Sequence, residues 1–402
     1  MINTSFLFCL LLAGATTQLS GRVVDQDNQP VPDAIVVIST AKPRVGPAIT
    51  CPSCYRDCAR RTLSDDQGRF KIEDLSSKLL FSLAAGGAGY QGTVSEHFDP
   101  ADYPAIKLVL KSAPDSPGLS SARGTVVDRG GNPIPGAEVR SRTIHRAGGR
   151  IGGRDDSVSP LTLTDTAGRF QLTAGEHIRA IDLRVTAAGF AEGEVHWQRA
   201  DNKDVSVVLG PGASLRGRLL FNDTPLTSIE VGLVQENRIM GNLVTPMEVC
   251  TDAEGFFQFD QLPPDLDYAI YTHTGQDARG VLPVSLIQAP GHGQRAELGD
   301  IGAQSPHQLT IKVVTNNGKQ LPDKSVVYVG RQKAWRGSTL TLPPVASGVV
   351  QINDLAREPV EISVRVPGLK VISCNPPLNE DLNRRYTVRV DGDTEIVFVV
   401  GE

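Results

Sequence analysis

Gly124-Thr-Val-Val-Asp128-Arg-Gly-Gly-Asn-Pro133-Ile-Pro-Gly-Ala137-Glu-Val139 reads as a β-branched run, a turn cluster and a second apolar run. The pattern also stands earlier, as Gly21-Arg-Val-Val-Asp25-Gln-Asp-Asn-Gln-Pro30-Val-Pro-Asp-Ala34. Each copy is followed by the same tail, Thr62-Leu-Ser-Asp65-Asp-Gln-Gly68-Arg-Phe70-Lys-Ile72 and Thr162-Leu-Thr-Asp165-Thr-Ala-Gly168-Arg-Phe170-Gln-Leu172. A small-residue turn comes next (Ala88-Gly89-Tyr90, Ala188-Gly189-Phe190), and each copy closes on an apolar strand at Ile106 to Leu110 and Val205 to Leu209. The tail Asp, Gly and Phe and the turn Gly all recur 100 residues apart. Such self-similarity marks a tandem architecture.

A third copy opens on Leu215-Arg-Gly217-Arg-Leu-Leu220 and carries the tail Thr251-Asp252-Ala-Glu-Gly255-Phe-Phe257-Gln-Phe259. A fourth, more divergent copy opens on Leu309-Thr-Ile-Lys-Val-Val314. It places Val349-Val-Gln-Ile352 where the tail belongs, without the Asp-x-x-Gly turn. The runs are short, alternate with period two and are broken by Gly, Pro, Asn and Asp, which predicts strands and turns. In the tail, the Asp carboxylate can accept from backbone N–H groups two to four residues on while Gly takes a positive φ. No window of eleven residues has helical periodicity. The expected fold class is all-β, with tandem Ig-like or transthyretin-like (prealbumin-like) β-sandwich domains of roughly seven strands.

The chain has 402 residues, a net charge of -5, 5% aromatic residues and two Trp. The mild charge argues against nucleic acid as a partner. The scarcity of aromatics weakens sugar or base stacking. Gly 40 and Pro 27 exceed average usage but fall short of a disordered composition, so they read as turn punctuation. Phe6 to Ala13 is a short apolar run, and Ala13-Gly14-Ala15 is a small-x-small cleavage signal, although no Lys or Arg precedes the run. Residues 1–15 are therefore expected to be a signal peptide. The run is too short to span a bilayer. A secreted, periplasmic or cell-surface location follows, with five cysteines left in the mature chain. The boundaries expected from the copies are 16–111, 119–210, 211–302 and 303–402.

These motifs resemble the carboxypeptidase regulatory-like domain, a transthyretin-like β-sandwich. The second copy matches that pattern at nearly every position from Gly124 to Phe190. The first has Asp33 for the turn Gly, the third lacks the Pro-Gly-Ala segment, and the fourth keeps only strand spacing. The resemblance implies the fold and says little of function. In the metallocarboxypeptidases the domain is an accessory, and elsewhere tandem copies are envelope or extracellular binding and spacer modules.

No chemistry-bearing motif appears. None of the seven His is followed by Glu three residues later, and no two lie close enough for a local ligand pair. No nucleophile elbow or Walker loop is present. Gly148 to Gly153 is Gly-rich but lacks a strand-to-helix context, so it reads as a flexible excursion. Catalytic, cofactor and metal residues are thus expected to be none. Cys51, Cys54 and Cys58 form a cluster that a disulfide stapling an insertion loop explains best; a metal site or a redox or intermolecular role stays open. A Cys250–Cys374 bridge would require the third and fourth sandwiches to pack together. Trp197 and Trp335, the only Trp, each lack a neighbouring aromatic, and Lys312 is the only Lys placed for an isopeptide lock.

Between the Pro-x-Pro strand and the tail, the first two copies carry enlarged connections, Thr40 to Arg61 and Arg140 to Pro160. These hold Arg44, Arg56, Arg60 and Arg61, and Arg142, Arg146, Arg150 and Arg154. Both are locally basic within an acidic chain, so they are candidate surfaces for an anionic partner. The composite expectation is a non-enzymatic binding or spacer module meeting an unknown protein or polysaccharide of the cell envelope. The alternatives are a carbohydrate-binding protein or the accessory factor of an exported enzyme with a cryptic metal site.

Overall fold

The computed structural model describes residues 16–44, 52, 55, 57–58, 60–103, 105–113, 120–152, 158–174, 178–199, 204–237, 247–276, 279–322, 325–334, 340–342, 348–382 and 384–402. Its regular elements are all β-strands. Among the described residues no helix is long and apolar enough to cross a membrane.

The turn chemistry sets the frame. Asp65 Oδ1 accepts from the backbone N–H groups of Gln67 (2.9 Å) and Arg69 (2.8 Å). Asp165 repeats this with Ala167 and Arg169, and Asp252 with Glu254 and Phe256. The bond from Arg69 N–H is the chief reason the Asp65 carboxyl lies below its ordinary pKa. Gly68, Gly168 and Gly255 follow at φ 72°, 71° and 83°. A Cβ there would come within 2.3, 2.5 and 2.7 Å of the carbonyl oxygens of Val23, Val126 and Leu219. Only glycine meets both demands. One residue before each Asp, Ser64, Thr164 and Thr251 accept from the N–H of Ala34, Ala137 and Ile229. Ser64 and Thr164 also donate, to the carbonyls of Val31 and Ile134.

These turns deliver the tail strand beside the opening strand. In each sandwich the opening strand is central in a first sheet, antiparallel to the tail and parallel to a later strand. Thr16–Val24 lies between Arg69–Ser76 and Ile106–Val109, and Ser120–Asp128 between Arg169–Ala174 and Asp204–Leu209. Ala213–Phe221 lies between Phe256–Leu262 and Arg295–Gly302. His307–Thr315 lies between Val349–Leu355 and Thr394–Gly401, with Lys370–Asn375 added beyond the last. A second, antiparallel sheet covers each. Its central pairs are Ile35–Pro43 with Leu79–Gly86, Glu138–Arg146 with Ala180–Thr186, Glu230–Gln235 with Asp267–Thr272, and Val326–Arg331 with Pro359–Arg365.

Tandem prealbumin-like sandwiches are what the repeat predicts, and the divergent copy shares the arrangement. Gly348 (φ 69°) takes the turn-glycine position there, with a Cβ clash of 2.6 Å against the Val313 carbonyl. Val313 N–H bonds to the Gly348 carbonyl as Val23 does to Gly68. The cross-strand core pair also changes. Gly21, Gly124 and Gly217 face Phe70, Phe170 and Phe257, whereas Ile311 faces Val350. Bulk has moved from one strand to the other. That keeps the volume between the sheets filled, the kind of exchange a close-packed core tolerates.

The enlarged connections are more regular than expected. The first begins as a continuation of the strand through Pro43. In the second, Gly149–Gly152 is a strand rather than a flexible excursion, pairing antiparallel with Thr143 to Arg146. Glu138–Arg146 outruns its partner Leu161–Leu163, leaving an edge that the Gly-rich segment returns to fill.

Candidate functional site

Several basic residues of the two connections have partners within the chain. Arg44 pairs with Asp99 at 2.6 Å, and Arg60 donates to the Glu73 carbonyl at 2.9 Å. Arg61 reaches across to the second sandwich, where its Nη1 donates to Glu138 Oε2 at 2.9 Å. Burial would raise the Glu138 carboxyl, but the charges of Arg140 and Arg61 outweigh it and hold its pKa below the ordinary value. Arg142 pairs with Glu194, His145 Nε2 lies 3.0 Å from Asp182, and Arg184 lies 3.0 Å from Glu192. Arg146 ends its strand and Arg150 stands on the returning one. Arg56 and Arg154 lie outside the described residues.

Cys51 and Cys54 also lie outside them. Cys58 is a free thiol donating to the Pro52 carbonyl at 3.3 Å, and burial pushes its pKa up to about 12. Cys374 is free as well, and no disulfide is present among the described residues. Lys312, the isopeptide candidate, instead pairs with Glu395 at 2.7 Å on an exposed face. Trp335 falls outside the described residues, and Trp197 sits on the strand Gly193–Arg199.

The outer faces of the second sheets meet neighbouring sandwiches. Ile35, Val37 and Ala84 of the first pack against Leu161 and Leu163 of the second. Gly92 N–H donates to Ser159 Oγ across the same contact at 2.8 Å. Val234, Ala269 and Tyr271 of the third pack against Ala334 of the fourth. Arg331 penetrates here with its side chain only 2% exposed. Its guanidinium donates to Glu358 and to the Thr272 carbonyl, and reaches the Leu282 carbonyl at 3.1 Å. Glu358 Oε2 accepts in turn from Val284 N–H at 2.9 Å. Arg331 lies 5.5 Å from the Tyr271 ring centroid, and that ring lies 5.3 Å from the His273 imidazole.

Beyond Tyr271 on the third sandwich, Glu230, Glu248 and His273 converge, with one ligand atom of each within 4.8 Å of the others. Register explains the convergence. Glu230 faces Cys250, and Gly232 faces both Glu248 and Tyr271, so alternate residues of three strands share one face. Sequence reading, which sought ligands at local spacing, misses this group. Its only advance signal is strand pairing across 43 residues.

No protein-family model matches the chain, and no curated protein matches it. Several solved structures are similar at low identity. The TIE protein of Bacillus anthracis is 10% identical over 96% of this chain and 74% of its own, with a TM-score of 0.21. Two B repeat units of the collagen-binding protein of Staphylococcus aureus are 13% identical over 96% of this chain and 99% of theirs, with a TM-score of 0.19. A streptococcal ancillary pilin is 11% identical over 72% of this chain and 99% of its own, with a TM-score of 0.25.

Proposed function

We propose that the chain is an exported, non-enzymatic binding or spacer module built of tandem carboxypeptidase regulatory-like domains with boundaries at 16–111, 119–210, 211–302 and 303–402. In this reading residues 1–15 are a signal peptide and the protein acts in the periplasm, at the cell surface or outside the cell. The observation that carries the reading is the packed junction. The first and second sandwiches share an apolar contact, and the fourth inserts a buried Arg331–Glu358 pair that bonds to the backbone of Thr272, Leu282 and Val284 in the third. Such contacts oppose domain swing and hold loops at set separations, which a spacer or display module requires.

The partner is an anionic polymer or acidic protein face of the cell envelope, met by the basic connections. Arg44, Arg61 and Arg142 pair with Asp99, Glu138 and Glu194, so reversing them would disturb the fold itself. Arg56, Arg150 and Arg154 are the positions to reverse. The test is retention of the whole chain on envelope fractions and immobilised acidic glycans, with and without R56E/R150E/R154E. Retention that falls with salt and is lost in the triple variant supports the reading. Equal retention by the variant refutes the loops as the contact. No retention of either protein leaves the plain spacer.

A further inference from the structure

We propose that Glu230, Glu248 and His273 bind one divalent transition-metal ion, for which zinc is the best match, on the outer face of the third sandwich beside its junction with the fourth. The donor set is two carboxylate oxygens and one imidazole nitrogen. Zinc takes such ligands at about 2.0–2.2 Å, with three protein ligands and an open fourth position. Calcium and magnesium prefer shells of six or more oxygens and have no use for an imidazole.

The spacing fits. Tetrahedral bonds of about 2.1 Å separate neighbouring ligand atoms by roughly 3.4 Å. His273 Nε2 lies 3.4 Å from Glu248 Oε1. All three ligand atoms fall within 4.8 Å of one another, so a small rotamer adjustment of the glutamates closes the set. Two carboxylates and a neutral imidazole also balance a dication, which offsets the cost of keeping a carboxylate at Glu230, itself only 6% exposed.

The backbone holds these groups in place. Gln276 Oε1 accepts from Glu230 N–H at 2.7 Å, and its Nε2 donates to the His273 carbonyl at 2.9 Å, clipping two ligand-bearing segments together. Gly232 stands between them. A Cβ there would come within 2.7 Å of the Tyr271 ring and 3.0 Å of His273 Nε2, so glycine leaves the imidazole nitrogen its approach to the carboxylates. Tyr271 then separates the metal site from Arg331, so an ion that fixes His273 also braces the junction.

The test is calorimetric titration of the chelator-treated full chain with zinc chloride, in a C51S/C54S/C58S background that removes the competing thiol cluster. One equivalent should bind, and E248Q and H273A should each weaken binding on the order of tenfold or more. Cobalt-loaded protein should show visible d–d absorption that H273A abolishes. Far-UV circular dichroism establishes that both variants fold, which the partial exposure of Glu248 and His273 favours. No saturable zinc binding in the C51S/C54S/C58S protein, or equal affinity in E248Q and H273A, overturns the proposal.

Discussion

Replacing Arg331 by Met should be among the most damaging single changes in the molecule. The guanidinium is 2% exposed and serves three acceptors: Glu358 and the carbonyls of Thr272 and Leu282. Met keeps most of the volume but removes every donor. The Glu358 carboxylate, 6% exposed, would keep the bond from Val284 N–H but lose its counter-charge. An uncompensated buried charge of this kind costs about 3–5 kcal/mol. For a unit the size of two sandwiches, that lowers the melting temperature by about 6–20 °C. The double variant R331M/E358L removes both charges and should be more stable than R331M, with a residual cost of about 1–3 kcal/mol because the Val284 N–H and the Thr272 and Leu282 carbonyls lose these partners. Urea unfolding followed by circular dichroism, with calorimetry to resolve the third and fourth sandwiches, measures both. If R331M unfolds within 1 kcal/mol of the parent, the pair does not hold the junction. If the double variant is as unstable as the single, the loss arises from packing and the Thr272 and Leu282 carbonyls rather than from the Glu358 charge.

Thr164→Ala leaves the buried Ala137 N–H without its acceptor and should cost about 1–3 kcal/mol in chemical unfolding, whereas Thr164→Ser should cost far less. Gly348→Ala forces a Cβ against the Val313 carbonyl at φ 69° and should cost about 1–3 kcal/mol; a melt indistinguishable from the parent would remove Gly348 from the turn position. Glu138 has a folded pKa below its unfolded one, so the stability it contributes is present above the unfolded carboxylate pKa and lost as pH falls through the lower folded value. Glu138→Gln should therefore flatten the acid limb of stability against pH, and an unchanged slope would exclude the Arg61–Glu138–Arg140 group as its source. Cys58, whose partly buried thiol has its pKa raised to about 12, should label slowly in the folded chain. After denaturation without reductant, three reactive thiols from Cys51 to Cys58 would rule out a disulfide in that cluster.

What was legible in the sequence is what turns encode locally. Asp65, Gly68 and Phe70 lie within six residues, and each acts through its own backbone or the adjacent strand. That chemistry can be read without a fold. The fourth sandwich hid its turn because it keeps only the glycine, Gly348, and trades the Gly–Phe core pair for Ile311–Val350. A motif search weighs the lost Asp and Phe, while the sheet needs only positive φ and conserved volume. The arginines of the connections looked like free charge because Glu138, Glu194 and Asp99 lie 52 to 77 residues away. Their pairing is a product of register.

The second sheets suggest why the units occur in tandem. A strand with one face in the core and one in water alternates, as Arg69–Ser76 does. Ile35 to Ile38 and all of Glu230–Gln235 are buried without a break. Both runs are central in second sheets whose inner residues enter their own core, Val36 and Ile38 in the first and Val231 and Leu233 in the third. The intervening residues, Ile35, Val37 and Val234, enter the inter-sandwich clusters. Separated from its neighbour, the first sandwich would expose Ile35, Val37 and Ala84 together on one sheet face, and the third would expose Val234, Ala269 and Tyr271. Apolar patches of that kind drive association. The neighbour is thus part of what keeps each of these two sandwiches soluble. In the first sandwich this is legible as the unbroken apolar run Ile35 to Ile38, whereas the outer face of Glu230–Gln235 carries Glu230 and Gly232 beside Val234, so burial there does not show as an apolar run.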